Sequence, residues 1–407
     1  MPFEVPENWE WIKLGECGDV ITGMTPSKDN KLYYGGKIPF YKPTDLEQGE
    51  YTLYSSDTLS TLGFSQCRQL PCNSILVTCI GATIGKTGII KSRGACNQQI
   101  NAIVPYCFLN YQYLYYVCVS NYMQTEIRDN SSSTTLPILN KSKFSELMIP
   151  LPPLNEQFRI IRAVKDILLE IENLDRERHN LRNQIHNIKN LVIELAISGK
   201  LVPHKPLDEP ATELLRRINP NYTPCDNRHC ENVPNGWQFV KIKDIFTINP
   251  KNKVDDDLEA GFVSMSMIDE SYRDSYQFEK KKWALIKTGF THFKDGDIAV
   301  AKISPCLENR KSMILKNLPN GIGAGTTELH VFRSAIVYPK FALYFFKSDY
   351  FINQCVGTFN GVVGQQRVGK HIIEDIMFPL PPYEEQKRMS EKITHIFQCL
   401  DKITAEL

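Results

Sequence analysis

The apolar positions of this chain change rhythm along its length. Up to residue 149 they come in short runs broken by Gly, Pro and Asn. Residues 74–78, 87–90 and 99–104 have the length and composition of strands. A longer Tyr-rich stretch, 109–128, reads as helix. After Pro152-Pro153 the texture shifts, and no proline or glycine occurs until Gly199. Apolar residues recur at Ile161, Val164, Leu168, Ile171 and Leu174, then at Leu181, Ile185, Ile188, Val192 and Leu195. Arg178 interrupts the alternating three-four spacing. A stripe this narrow is a coiled-coil seam, on a helix of about 45 residues, or roughly 65–70 Å at 1.5 Å per residue. Pro153 suits its first turn, and Glu156 complements its dipole. Residues 201–232, rich in Pro, Asp and Asn, read as a linker with a short helix near 212–218. The strand-like texture then returns over 233–378: residues 297–303 match 74–80, and 344–351 match 115–122. After Pro382 a second helix is predicted, with Met389, Ile393, Ile396, Leu400 and Ile403 apolar.

The return is a duplication. Pro150-Leu151-Pro152-Pro153-Leu154-Asn155-Glu156-Gln157 recurs 229 residues later as Pro379-Leu380-Pro381-Pro382-Tyr383-Glu384-Glu385-Gln386, with six of eight positions identical. Val5-Pro6, Trp9 and Lys13 recur as Val233-Pro234, Trp237 and Lys241. Two phrases at nearly one offset mark a repeated unit far longer than a solenoid repeat. The predicted organisation is a first domain over 1–149, a spacer helix over 150–200, a linker over 201–232, a second domain over 233–378 and a distal helix over 379–407. The fold class is α+β: two similar mixed α/β domains separated by long helices that pair as an antiparallel coiled coil. That puts the domains at opposite ends of a rod, a geometry suited to a ruler. Successive major grooves on one face of B-DNA repeat about every 34 Å.

Composition narrows the class. The 407 residues are 42% hydrophobic and 23% charged, with net charge +1; this is ordinary globular usage. No apolar run is long enough to span a membrane, and the first residues lack the basic start and apolar stretch of a signal peptide. The expectation is a cytoplasmic chain whose 12 cysteines are mostly reduced. A balanced charge means that a DNA reader of this kind would need a partner for much of its phosphate grip.

Several motifs resemble catalytic ones and fail on context. Gly81-Ala82-Thr83-Ile84-Gly85-Lys86-Thr87 has one residue too few between its glycines for a phosphate-binding loop, and strand-like sequence follows it. Gly321–Gly325 looks like a methyltransferase glycine loop without its helix. Asn219-Pro220-Asn221-Tyr222 has Asn where the adenine-methylase motif has a second Pro. Cys225, His229 and Cys230 fall short of four spaced zinc ligands. No nucleophile–base–acid set stands out, so the chain is expected not to be an enzyme.

The chain resembles the specificity (S) subunits of type I restriction–modification enzymes. The matching pieces are Trp9 with Lys13-Leu14-Gly15, Gly23-Met24-Thr25-Pro26-Ser27, Ile38-Pro39-Phe40 and Gly81–Lys86. To these are added the doubled Pro-Leu-Pro-Pro box, Ser198-Gly199-Lys200-Leu201-Val202-Pro203, Asp208-Glu209-Pro210-Ala211 and Glu213-Leu214-Leu215. The resemblance implies two target-recognition domains, each reading one half of a split, asymmetric site in double-stranded DNA. It also implies helices that bind two methyltransferase (M) subunits, with restriction (R) subunits joining that core. S-adenosylmethionine, ATP and Mg would belong to those partners, leaving this chain without cofactors, metal or a catalytic site. The chain departs from the family in its distal helix, where nothing matches residues 179–200. A type IIB or similar multisubunit system is an alternative setting, and a coiled-coil scaffold that reads no DNA is an alternative class.

Base edges are read by Arg, Lys, Asn, Gln, Glu and Asp, with Ser and Thr assisting. Two duplicated positions concentrate such groups. One is Asn97-Gln98-Gln99 with Asn101, matched by Thr326-Thr327-Glu328 with His330. The other is the polar loop 131–135, with Ser133 and Thr134, matched by 360–367, with Gln365, Gln366 and Arg367. Lys42, Lys86, Lys302, Lys311 and Arg367 are the candidates for phosphate contacts. Glu156, Gln157, Arg159, Glu385, Gln386 and Arg388, in and after the doubled box, are the candidates for subunit docking.

Overall fold

Continuous apolar runs become central strands. In the computed structural model, which describes residues 3–132, 136–223, 234–357 and 366–407, all four residues of the strand Ile75–Thr78 are buried. It pairs antiparallel with Ile100–Pro105 on one side and Thr87–Ile89 on the other. Gly18–Thr22 completes this four-stranded sheet. A three-stranded sheet holds Asp57–Leu59, Tyr34–Tyr41 and Ala95–Cys96, the last two parallel. A separate pair joins Glu10–Lys13 to Met148–Leu151, with Trp11 opposite Pro150. The start of the unit is thereby fastened to the proline box.

The Tyr-rich stretch is two helices, Tyr111–Val119 and Asn121–Asp129, rather than one. The break falls at Ser120, whose hydroxyl accepts from the Met123 amide and starts the second helix. Leu114, Val117, Cys118, Met123 and Ile127 pack with Ile75, Val77, Ile89 and Ile103 in one core.

The chain divides into two units, Met1–Asp175 and Arg176–Leu407. The second repeats the plan of the first. Gln238–Lys241 pairs with Met377–Leu380, Phe239 opposite Pro379. Its central sheet runs Thr247–Ile248, Leu329–Arg333, Ile298–Ala301, Ser312–Ile314. Its other sheet runs Glu279–Lys282, Glu259–Val263, Ile322–Gly325, Thr291–Lys294, again with one parallel pair and with an added edge strand. Burial of Phe246, Phe332, Phe341, Phe345, Phe346, Phe351 and Phe378 gives it an aromatic core.

The spacer helix runs unbroken from Leu154 to Ile197, 44 residues. Gly199, at φ +71°, ends it: the Lys200 amide bonds the Leu195 carbonyl at 2.7 Å and the Gly199 amide that of Ala196 at 3.0 Å. This double bond over a left-handed residue is a Schellman stop. Val192, Ile193, Ala196 and Ile197 share a core with Met389, Ile393 and Phe397 of the distal helix, Tyr383–Glu406. The contacts run antiparallel. Lys189 pairs with Asp401, while His204, past the end of the spacer helix, reaches Glu385 near the start of the distal one. The seam expected along the whole helix is not continuous. Ile161, Ile185 and Val192 are buried, but Leu168, Ile171 and Leu174 are exposed. The last distal turn, Asp401–Thr404, lies beside Arg182–Lys189. No helix among the described residues is long and apolar enough to cross a membrane.

Candidate nucleic-acid interface

The two polar turns singled out from the sequence occupy one topological position. Asn97-Gln98-Gln99 joins the strands Ala95–Cys96 and Ile100–Pro105; Thr326-Thr327-Glu328 joins Ile322–Gly325 and Leu329–Arg333. Each connects the parallel pair of one sheet to the central strand of the other. Each is closed by its first side chain. Asn97 Oδ1 accepts from the Gln99 amide at 3.2 Å, and Thr326 Oγ1 accepts from the Glu328 amide at 3.2 Å. Short polar side chains that bond the backbone two residues on are turn formers.

Three residues predicted to read bases therefore belong to the scaffold. Asn97 is buried and also bonds Gln99 Oε1 at 2.8 Å. Asn101 is buried; its Oδ1 accepts from Thr22 Oγ1 at 2.7 Å, and its amide donates to the Leu139 carbonyl at 3.5 Å. His330 is 4% exposed, with Nε2 on the Val368 carbonyl at 3.2 Å and Nδ1 facing Asn249 Nδ2 at 3.3 Å. Burial pushes the imidazole down to about 4, so it is neutral at pH 7. Leu139 and Val368 are themselves separated by the repeat offset. Asn101 and His330 thus make the same tie by different chemistry, and neither has an edge to offer.

The outward groups are Gln98 and Thr327, both exposed, with Gln99 and Glu328 half-buried. Gln98 takes a hydrogen bond from Thr25 Oγ1. Glu328 takes one from Arg367 Nε at 2.8 Å. Arg367 is exposed and bridges to Ile303 beside Gln366, whose carbonyl accepts from Ser304 at 2.8 Å. Ser133, Thr134 and Gln365 lie outside the described residues, as do Cys225, His229 and Cys230.

The basic candidates are mostly paired. Lys42 bonds Asp57 at 2.5 Å, Lys86 bonds Glu47 at 2.8 Å, and Lys311 lies 3.6 Å from Glu270. Lys302, just after the strand Ile298–Ala301, makes no ion pair among the described residues. Lys86 ends the Gly81–Gly85 turn, a hairpin in which Gly81 and Gly85 both have positive φ and the Thr78 and Gly85 backbones bond across the strands. Strand follows the turn, and no helix N-terminus faces it. Gly321–Gly325 is likewise strand in its last four residues. Among the described residues no His, Cys, Asp or Glu cluster is arranged to hold a metal.

The residues predicted to dock partners also sort by burial. Gln157 is fully buried. Its Oε1 accepts from the Asn110 amide at 2.8 Å, and its Nε2 donates to the Phe108 and Pro152 carbonyls at 3.1 and 3.0 Å. Gln386 does the same in the second unit, with the Tyr338 amide at 2.7 Å and the Pro381 carbonyl at 2.9 Å. Asn110 and Tyr338 are the N-caps of equivalent helices. The repeated Gln is a latch between each long helix and the domain before it. Glu385 is buried against His204 Nδ1 at 2.7 Å and Trp237 Nε1 at 3.2 Å, and Arg388 grips Asp208 at 2.5 Å. Gln157, Glu385, Gln386 and Arg388 thus hold this chain together, whereas Arg159 is exposed and Glu156 half-buried. His204 and Asp208, which hold Glu385 and Arg388, lie in the segment between the spacer helix and the strand Gln238–Lys241.

A family model described as type I restriction modification DNA specificity domain matches residues 6–182 and 234–407. The chain is 40% identical over 232 residues to the specificity subunit of the type I restriction enzyme EcoAI of Escherichia coli; the match covers 52% of this chain and 39% of that protein. The match thus spans about two-fifths of the length of that relative. It is 23% identical over 417 residues to the MjaVIII specificity subunit of Methanocaldococcus jannaschii, covering 98% of this chain and 88% of that one. The crystal structure of the HsdS subunit from Thermoanaerobacter tengcongensis superposes with a TM-score of 0.59 at 14% identity, covering 100% of this chain and 93% of that one.

Proposed function

The chain belongs to the family of type I restriction–modification DNA specificity proteins, and we propose that it is the sequence-reading subunit of such a complex. Each unit reads one half of a split site in double-stranded DNA. Methyltransferase and restriction subunits dock on the chain and carry the chemistry, together with S-adenosylmethionine, ATP and Mg²⁺.

The observation that carries this reading is the pair of equivalent turns. The framework around them is the same down to the bond that closes each turn. The side chains projecting from them differ: two amides in one unit, a hydroxyl and a carboxylate in the other. A duplicated scaffold with divergent tips is what two different half-sites require, because donor and acceptor patterns at base edges differ. Gln98 and Gln99 offer both donor and acceptor. Thr327 offers a hydroxyl, and Glu328 accepts. Of the candidate cations, Lys302 makes no ion pair among the described residues and is the one offered to a phosphate, which fixes register without reading sequence. The paired lysines must exchange a carboxylate for a phosphate, so their net gain is small, in keeping with a charge of +1 and a grip shared with partners.

The test is co-expression with a type I methyltransferase subunit from the same source, in a host without DNA methylation, followed by mapping of modified adenines. A split motif of fixed spacing that disappears when either chain is omitted is the expected result. A soluble complex that modifies nothing, or modifies an undivided motif, would overturn the reading.

A further inference from the structure

The two units share an ion pair that lies outside the proline box and the polar turns. In the first unit the hairpin ending in Lys86 closes with the Thr78 amide on the Lys86 carbonyl at 2.8 Å. The longer hairpin of the second unit closes with the Ala301 amide on the Lys311 carbonyl at 2.9 Å. Val77 faces Thr87 in one, and Val300 faces Ser312 in the other. Lys86 and Lys311 therefore occupy one structural position. Each reaches a glutamate on the segment that follows the parallel strand. Tyr41 ends that strand in the first unit and Val263 in the second. Their carbonyls accept the amides that open the polar turns, those of Asn97 and Thr326, both at 3.0 Å. Glu47 lies six residues past Tyr41, and Glu270 seven past Val263. Lys86 stands 2.8 Å from Glu47, and Lys311 3.6 Å from Glu270.

Within each pair the lysine is sheltered and the carboxylate open. The lysine side chains are 24% and 14% exposed, the glutamates 71% and 56%. A pair with one partner so exposed contributes little to stability, so folding does not account for its occurring twice. Its location does account for it. The other arm of each hairpin is bonded to the last residue of the polar turn, the Cys79 amide to the Gln99 carbonyl at 2.7 Å and the Lys302 amide to the Glu328 carbonyl at 2.9 Å. Each pair is thus coupled through its hairpin to the groups proposed to read bases. The same opposition of cation and carboxylate recurs at Lys42 with Asp57, at 2.5 Å, and at Arg367 with Glu328, at 2.8 Å.

We propose that Glu47 and Glu270 are built-in stand-ins for DNA phosphate, and that they set specificity by withholding the hairpin lysine from the wrong sequence. The assignment rests on the reading of this chain as a DNA reader. On a non-matching duplex phosphate charge is essentially the whole attraction, and a lysine already neutralised by a carboxylate adds little to it. On the matching site the polar turn is drawn to base edges, the hairpin bonded to it follows, and the lysine exchanges carboxylate for phosphate. Specificity is the difference between the two affinities, so weakening the first widens it. The hydrogen bond from Lys86 holds the Glu47 carboxyl below the usual carboxylate range, which keeps the stand-in charged at neutral pH.

Glu47→Gln and Glu270→Gln test this on the full chain, titrated by anisotropy against a labelled duplex of random sequence at three salt concentrations. Both carboxylates are exposed, so their replacement leaves folding intact. Each variant is expected to steepen the fall of log affinity with log salt by about 0.9, roughly a threefold gain in affinity between 200 and 50 mM salt, and the double variant by about twice that slope. Adding Lys86→Gln to Glu47→Gln returns the slope to that of the wild type. Glu172→Gln, which removes an exposed carboxylate from the spacer helix, leaves it unchanged. A slope unaltered in both glutamate variants would overturn the proposal. So would a gain that survives Lys86→Gln, or an equal gain from Glu172→Gln, which would reduce the effect to net charge. A failure here leaves the map of modified adenines as it was, whereas an undivided motif in that map faults the reading of half-sites whatever the slopes are.

Discussion

Gln157→Glu is a nearly isosteric change that keeps an acceptor and removes a donor. In the native unit the Gln157 amide nitrogen serves two carbonyls, Phe108 at 3.1 Å and Pro152 at 3.0 Å, while its oxygen takes the Asn110 N–H at 2.8 Å. A carboxylate keeps the third bond and faces two carbonyl dipoles with negative charge. Stranding buried partners costs about 1–3 kcal/mol each. Phe108 is itself partly exposed, so its carbonyl recovers water and the larger share falls on Pro152. A buried carboxyl in that place escapes by taking up a proton, which returns one donor. The expected loss is about 3 kcal/mol at pH 8 and distinctly less at pH 5, since each unit of pH below the raised pKa removes up to about 1.4 kcal/mol. Urea denaturation at both pH values measures it, and hydrogen exchange of residues 106–120 localises it to the N-cap of Tyr111–Val119. Gln157→Met, with no titratable group, serves as control and loses stability equally at both. A Gln157→Glu chain within about 1 kcal/mol of wild type at both pH values would refute the latch.

His330 supplies a pH dependence in the opposite sense. Its folded value is about 4, held down by burial, below the unfolded value near 6.5. The unfolded chain therefore binds a proton that the folded chain does not, and stability is lost as pH falls from about 6.5 to about 4, by on the order of 3 kcal/mol. His330→Asn, which installs the residue the first unit uses there, should flatten that stretch of a pH–stability curve. An unchanged curve would contradict the burial argument. On the DNA-reading proposal, Gln98→Ala should broaden one half of the modified motif and Thr327→Ala the other, as read by adenine mapping; a single half affected by both would sink it. Lys302→Ala should weaken binding to every sequence and lower the salt slope of affinity by about one, measured by titration at three salt concentrations. Lys347 is fully buried and donates to the Ser271 and Arg310 carbonyls at 2.8 and 2.9 Å. Lys347→Met should destabilise the second unit by about 2–4 kcal/mol, and a melting temperature that does not fall would show those carbonyls to be satisfied otherwise.

The repeated proline box, the long helix and its stop at Gly199 were all legible, because each rests on local rules: identity at an offset, a three-four stripe broken only at Arg178 and free of proline and glycine, a glycine at a Schellman position. The break at Ser120 was legible in principle, since a serine three residues before Met123 is a capping signal, but the apolar continuity of 109–128 overrode it. The site residues were read less well for a shared reason. Asn97, Asn101, His330, Gln157 and Gln386 stood out because they are polar in a duplicated framework. Polar residues kept in a framework are as often its internal ties as its reading edge. Only burial separates the two, and burial is set by contacts such as Leu139 with Asn101 and Val368 with His330, far apart along the chain. The pairing of Lys42, Lys86 and Arg367 with carboxylates was likewise invisible, because Asp57, Glu47 and Glu328 are distant in sequence.

Each unit closes by pairing its first strand with its last, Glu10–Lys13 with Met148–Leu151 and Gln238–Lys241 with Met377–Leu380. A chain emerging from the ribosome cannot complete such a unit until nearly all of it has been made, and non-local pairings of this kind are slow to form. The Gln latches sit immediately after those closing strands. Synthesis of the first turns of each long helix is therefore also the moment at which its unit can lock, so the spacer helix is laid down on a finished domain. The second unit waits longer, for the distal helix carries Met389, Ile393 and Phe397 of its core. Chains arrested before about residue 400 would present a folded first unit and an unfinished second one, and pulse-proteolysis of stalled nascent chains would see the two thresholds separately.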